Sequence, residues 1–180
     1  MIWYNEPKHW SGNAERLTLT VEPDTDYWRT THYGFVRDNG PFYYEQIKGD
    51  FEATVQVAGL YTELFHQAGL MVRLDPTNWI KTGIEYVDGT QQVSAVVTRE
   101  VSDWSVVPCP DNPKCLWLKL LRKKDYVEIS YSFDQQLYTL LRLAYFPPQL
   151  VTAQIGLVAA APGAQSFEVT FENFHVQAVL

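Results

Sequence analysis

The sequence predicts an all-β protein in which two antiparallel sheets pack face to face. Apolar residues recur at every second position through most of the chain, turn-forming clusters separate these segments at short intervals, and 14% of the 180 residues are aromatic. Aromatic and β-branched side chains suit a pleated, half-buried surface. No segment keeps a helical apolar period over three turns.

Leu17, Leu19 and Val21 alternate with polar neighbours and mark the first half-buried strand. The same alternation follows in Phe51, Ala53, Val55 and Val57, in Leu70, Val72 and Leu74, in Ile80, Ile84 and Tyr86, and in Val93, Ala95 and Val97. The second half repeats it in Leu116, Leu118 and Leu120, in Val127, Ile129 and Tyr131, in a run from Leu137 to Tyr145, in Ile155, Leu157 and Ala159, and in Phe167, Val169 and Phe171. Between them stand "DPTN", Asp88-Gly89, "CPDNPKC", "KKD", "DQQ", "FPPQ" and "APGAQ", all rich in turn residues. Strand follows strand without the intervening helices of a parallel sheet, so a jelly-roll sandwich of roughly a dozen strands is expected. Neither a Gly/Ser linker nor a repeat divides the chain, and one domain over residues 1–180 is expected.

Charge and targeting signals exclude several function classes. The net charge is −7, and the one basic run, Arg122-Lys123-Lys124, lies beside Asp125 and Glu128. Nucleic acid and anionic membranes are therefore not expected as partners. The N-terminus has neither a basic n-region nor an apolar h-region, and no stretch nears the roughly 20 apolar residues of a membrane span; a soluble, cytoplasmic protein is expected. Cys109 and Cys115 flank a Pro-rich loop. They would close a small disulfide ring in an oxidising compartment and are a pair of loop thiols otherwise. His9, His32, His66 and His175 are scattered, and none neighbours the cysteines, so neither a metal nor a cofactor is expected.

The stretch "MVRLDPTNWIKTGIEY" carries the candidate site. If Leu70, Val72, Leu74, Ile80, Thr82 and Ile84 face the core, then Gln67, Gly69, Met71, Arg73, Trp79, Lys81, Gly83 and Glu85 share the opposite face of two antiparallel neighbours. Ser94, Val96 and Thr98 extend that face, and Trp104 follows in "SDWS". A concave face carrying aromatics and charged hydrogen-bonding groups suits a sugar ring, which stacks on indole or phenol while polar side chains take its hydroxyls. The same residues are equally the wet side of a sheet, with Lys81 and Glu85 as solvated partners. A second cluster, residues 26–51, is dense in aromatics, most of them expected in the core; Trp28, Arg29 and Glu45 are its best groove candidates. His66 shares the parity of Leu70 and Val72 and reads as a hydrogen-bonded residue at a strand start.

No reaction signature occurs. A retaining glycosidase on such a fold needs two carboxylates about 5 Å apart, yet no strand carries closely spaced acids, and Glu85 lacks a same-face partner two residues away. Nucleophile elbows, phosphate loops and zinc-helix motifs are absent. The Asp and Asn residues of "DPTN" and "CPDN" read as turn formers.

Taken in order, "DYWRTTHYGF", "GDFEATVQV", "QAGLMVRLDPTNWIKTGIEYVDG", "VVTREVSDWS" and "YSFDQQLYTLLR" resemble a concanavalin A-like domain family of unknown function, often labelled regulation of enolase protein. The resemblance spans nearly the whole chain. It implies a jelly roll of the concanavalin A-like lectin/glucanase type, with the polar row on the concave sheet, and brings no established activity. Arg73, Trp79, Lys81, Glu85, Asp103 and Trp104 fall in its motif segments. The chain departs from the family pattern at His66, where an acid is usual, at Gln135, in place of a hairpin glycine, and at Tyr138, in place of tryptophan. The expectation is a domain binding a carbohydrate or related polar ligand through Arg73, Trp79, Lys81, Glu85, Asp103, Trp104, Trp28 and Glu45. The alternatives are a glycoside hydrolase or lyase using Glu85 with a second acid, and a regulatory protein-interaction module.

Overall fold

The computed structural model describes residues 1–109, 111–148 and 152–179. Among these are sixteen strands and no helix, arranged as the predicted two-sheet antiparallel sandwich. The front sheet runs, in spatial order, β1 (Ile2–Tyr4), β6 (Phe42–Lys48), β15 (Thr152–Ala160), β8 (Gln67–Asp75), β9 (Asn78–Val87), β10 (Thr90–Arg99) and β11 (Val101–Pro108). The back sheet runs β14 (Thr139–Tyr145), β13 (Tyr126–Ser132), β12 (Leu116–Lys123), β7 (Phe51–Gly59), β16 (Phe167–Ala178), β3 (Arg16–Val21) and β2 (Trp10–Gly12). A separate two-stranded arm, β4 (Tyr27–Arg29) and β5 (Val36–Asp38), belongs to neither.

All ten strands expected from alternation are present. Of the six others, β1, β2, β4 and β5 have three residues each, too few to show a period. In β6 the aromatics serve both faces: Tyr43 and Ile47 pack on the inter-sheet core, Phe42 and Tyr44 on the outer side. β11 is an edge strand with Val101 and Val107 exposed.

The main core fills the space between the sheets. Leu70, Val72, Ile80, Ile84, Val93, Ala95 and Val97 of the front sheet meet Leu17, Leu19, Ala53, Val55, Val57, Leu116, Leu118, Leu120, Val127, Ile129, Val169 and Phe171 of the back sheet. The strand phase read for residues 68–86 is the one observed. Asp88 and Gly89 have φ of 51° and 79°, the paired positive values of a tight primed hairpin turn between β9 and β10.

The outer face of the front sheet is not simply wet. A second apolar cluster of Phe42, Tyr44, Met71, Trp79, Val96 and Val158 lies there under Tyr27 of the arm. The central strands are therefore buried on both faces, their outward polar residues included. At their centre Gly69 and Gly83 stand directly opposite each other. A Cβ on Gly69 would fall 1.9 Å from Thr82 O, and one on Gly83 would fall 2.0 Å from Ala68 O.

Several local expectations meet the structure here. Cys109 and Cys115 are free thiols rather than a disulfide ring, and burial pushes the Cys109 thiol up to about 11. Pro110 of "CPDNPKC" and Gln149 of "FPPQ" lie outside the described residues. Among the described residues no three metal-ligating side chains gather. Gln135 has φ 64°, the left-handed conformation that favours glycine, with Asp134 Oδ1 accepting the N–H groups of Gln136 and Leu137. Tyr138 lies under the Lys119 ammonium, 4.3 Å from its ring centroid.

His66 is fully buried just before β8 and stacks on Phe167. Its Nδ1 accepts from the N–H groups of Thr62 and Glu63, so Nε2 carries the proton and donates to Gln165 O at 3.0 Å. Burial lowers its pKa, outweighing the hydrogen bond to Gln165 and the Glu63 charge. The unfolded chain then binds more protons than the folded one below about pH 6.5, so this contribution to stability is present above that pH and is lost as pH falls. NMR of the ring nitrogens at about pH 6 should show a neutral His66 protonated at Nε2; a ring that is already half-protonated at pH 6.5 would refute this reading.

Candidate functional site

The arm decides what the outer face can do. It is held to the front sheet by side-chain contacts: the Lys81 ammonium donates to Tyr27 O at 2.8 Å, Arg29 N donates to Ser102 Oγ at 2.9 Å, and Arg73 pairs with both carboxylate oxygens of Asp38, Nη2 to Oδ2 being 2.8 Å. Arg73 lies 4.7 Å from the ring centroid of Tyr4 and 6.0 Å from that of Tyr27. Trp79, 1% exposed, meets Tyr27 edge-on at 6.1 Å. Arg73 and Trp79 therefore share the predicted face, but beneath the arm, where they anchor it and line neither the inner pocket nor the outer groove beside it.

Lys81, Glu85 and Trp104 remain at the arm's open end. With Asp26, Trp28, Tyr33, Phe65 and Gln67 they line a narrow inner pocket. The register explains the grouping: Gln67 pairs with Glu85 across β8 and β9, while Lys81, Val96 and Trp104 lie in one row across β9, β10 and β11. A wider groove continues outward past Trp28, Thr31, His32, Tyr33, Ser102, Asp103 and Trp104. Trp28, Tyr33 and Trp104 line both.

The polar groups of the inner pocket are fixed. Glu85, 6% exposed, accepts from Trp104 Nε1 at 2.8 Å. Burial raises its pKa; Lys81 and hydrogen bonds from Trp104 and Ser94 pull it back, and the Asp26 charge pushes it further up. Lys81 also donates to Gln67 Oε1 and lies 3.7 Å from Asp26 Oδ1. Trp28 Nε1 donates to Thr31 O at 2.8 Å, which holds the indole against the arm's tip.

Two other candidates sit elsewhere. Glu45 shares the parity of Tyr43 and Ile47 and so lies on the side of β6 opposite Tyr44, away from the pocket. Asp103 pairs with Val97, whose side chain faces the core, and its carboxylate lies 3.4 Å from Arg142 Nη2 at the edge of the back sheet; it reaches only the rim of the outer groove. Arg29 donates from Nε to Glu100 O and serves the arm. Sequence reasoning missed Asp26, Tyr33, Phe65 and Gln67 as pocket walls. Gln67 was legible from its parity with Glu85; the other three arrive through loop and arm placement that no period encodes.

A family model described as a protein of unknown function, DUF1349, matches residues 3–179. The chain belongs to this family. It is 38% identical over 178 residues to "Regulation of enolase protein 1" of Saccharomyces cerevisiae, covering 99% of this chain and 89% of the relative. A crystal structure described as a functionally unknown protein from Saccharomyces cerevisiae superposes with a TM-score of 0.94 at 38% identity, over 99% of this chain and 96% of that one. The DUF1349 fold extends beyond these relatives. A carbohydrate binding module, CBM66 from Bacillus subtilis, matches with a TM-score of 0.61 at 15% identity, over 98% of this chain and 95% of that one. The GH43 protein BlXynB from Bacillus licheniformis matches at 0.73 and 17% identity, over 97% of this chain and 36% of that one. At these identities the last two likenesses show the fold alone, a jelly roll of the concanavalin A-like kind.

Proposed function

We propose that the protein binds a carbohydrate in the cleft between the arm and β11. The observation that carries this is the placement of Trp104: 38% exposed, with its indole N–H held by buried Glu85, it lines the inner pocket and the outer groove at once. An indole fixed by its nitrogen presents its ring without rotamer loss on binding, and sugar C–H faces stack on such rings. Gln67, Asp26 and Glu85 supply acceptors for hydroxyls at the pocket floor. The fold shared with a carbohydrate binding module agrees with this reading.

Titration calorimetry against a panel of oligosaccharides tests it. At least one saccharide should bind, and Trp104→Ala should weaken it about 10- to 100-fold while the thermal midpoint changes little. A full panel without binding, or a Trp104→Ala protein that binds like the parent, overturns the proposal.

Two further readings each have one supporting observation. Asp26 and Glu85 line the same pocket, and burial raises the pKa of Glu85, the direction a general acid needs; release of reducing ends from a bound saccharide, lost in Glu85→Gln, would establish a hydrolase. Outside the groove, Leu140 and Leu143 on edge strand β14 are 59% and 61% exposed, with Leu137 and Tyr145 beside them in sequence also exposed. Such an apolar stripe favours a protein partner.

A further inference from the structure

The walls of the inner pocket have a geometry that hydroxyl recognition does not require. Trp28, Tyr33, Phe65 and Trp104 follow one another as near-perpendicular rings: Trp28 and Tyr33 at 5.8 Å and 75°, Tyr33 and Phe65 at 6.5 Å and 76°, Phe65 and Trp104 at 6.2 Å and 83°. The three edge-to-face contacts join the four rings into one continuous aromatic wall of the inner pocket. A cation within about 6 Å of a ring face is attracted to it.

Charge at the floor has the matching sign. Two carboxylates, Asp26 and Glu85, and one cation, Lys81, line the pocket. The Lys81 ammonium is already engaged by Tyr27 O, Gln67 Oε1 and the Asp26 carboxylate. Glu85 receives hydrogen bonds from Trp104 and Ser94, but among the described residues no lysine or arginine forms an ion pair with it. Lys81 divides its charge between Asp26 and Glu85, so a cation that enters the cavity adds to the stabilisation of the Glu85 carboxylate.

The aromatic wall is also held in place before any ligand arrives. Phe65 has φ 66°, an outlier for a bulky residue, and its N–H donates to Tyr86 O at 2.7 Å. At the arm's tip, Thr30 and His32 both have φ 63° on either side of the turn that leads to Tyr33. Strained backbone gathered around a pocket mouth persists only where neighbouring contacts over-determine it.

We propose that the inner pocket is a binding site for an organic ammonium head group, with the aromatic wall of Trp28, Tyr33, Phe65 and Trp104 beside the cation and the Glu85 carboxylate opposite its charge. The proposal rests on the reading of this cleft as a ligand site and names the chemistry of the part that enters the inner pocket. The rest of the ligand lies in the outer groove. The ammonium has two sources, a protonated amino sugar or a non-saccharide quaternary amine.

Calorimetry of the full chain at about pH 6.5, where a primary amine is protonated, separates them with four probes: a glucosamine trisaccharide with free amines, its fully N-acetylated counterpart, cellotriose and tetramethylammonium chloride. The free-amine trisaccharide should bind about 10-fold or more tightly than its N-acetylated counterpart, an advantage that falls to about 2-fold or less in Glu85→Gln. Phe65→Leu should weaken ammonium binding several-fold, and thermal melts of both variants confirm that they fold. Equal binding of the amine, acetylated and neutral trisaccharides overturns the ammonium proposal and leaves the carbohydrate reading standing. Binding of tetramethylammonium without binding of any saccharide supports the ammonium site and overturns the carbohydrate reading. No binding of any probe overturns both, and an amine preference undiminished in Glu85→Gln overturns the site as described.

Discussion

Replacing Trp79 with alanine is expected to lower folding stability by about 4 kcal/mol and to abolish ligand binding, although Trp79 lines neither pocket nor groove. The stability loss follows from the volume removed: Trp79 is among the largest fully buried side chains, packed among Tyr27, Met71, Val96 and Val158 under the arm. In a chain of 180 residues a loss of that size lowers the melting midpoint on the order of 10 °C. The binding loss has a different origin. Trp79 meets Tyr27, whose carbonyl receives the Lys81 ammonium, and the next residue, Trp28, is a pocket wall. With the indole gone the arm loses its apolar seat, and Trp28 and Tyr33 lose their fixed positions. Hydrogen exchange should show arm amides between residues 26 and 40 accelerating more than those of β8 and β9. An arm as well protected as in the parent protein, with binding intact, would show that the polar contacts alone hold it.

Gly83→Ala is expected to cost at least about 3 kcal/mol, close to the limit of what the fold tolerates. Secondary-structure preference predicts the reverse, because glycine inside a strand is worse than alanine by about 0.5–1 kcal/mol. The coordinates decide between them. A methyl on Gly83 would lie 2.0 Å from Ala68 O and 2.6 Å from the Ala68 carbonyl carbon, and both are backbone atoms of the neighbouring strand that no rotamer change can remove. Gly69 opposite is in the same position, its Cβ meeting Thr82 O at 1.9 Å. Denaturant unfolding of Gly83→Ala measures the sign directly; a variant as stable as the parent would mean that the two strands can separate locally at little cost.

The fold was legible wherever one face of a strand is apolar and the other polar. Leu70, Val72, Ile80 and Ile84 fixed the phase of β8 and β9, and that phase correctly gathered Arg73, Trp79, Lys81 and Glu85 on one side. What became of that side was not legible. Whether a lysine and a tryptophan on an outer face meet solvent, a ligand or another segment depends on where residues 26–40 land. Those residues are placed by contacts 35 positions apart in sequence for Arg73 with Asp38 and 54 apart for Lys81 with Tyr27. Local alternation carries no trace of such pairings. Trp79 and Arg73 thus look like ligand groups in the sequence and are anchors in the fold. Tyr33 belongs to a cluster that reads mostly as core in the sequence and is a wall in the fold.

The arm's independence from both sheets has a kinetic side. Two walls of the cleft, Trp28 and Tyr33, ride on the arm, whereas Trp104 and Glu85 belong to the front sheet, and what joins the two is a handful of side-chain contacts rather than a ladder of backbone hydrogen bonds. A guest lodged between them is clasped by both, so its residence time and the arm's undocking rate become one quantity. A mutation at Asp38, which holds the arm through Arg73 and lines neither the pocket nor the groove, would then shorten dwell time without altering a single atom that the guest touches.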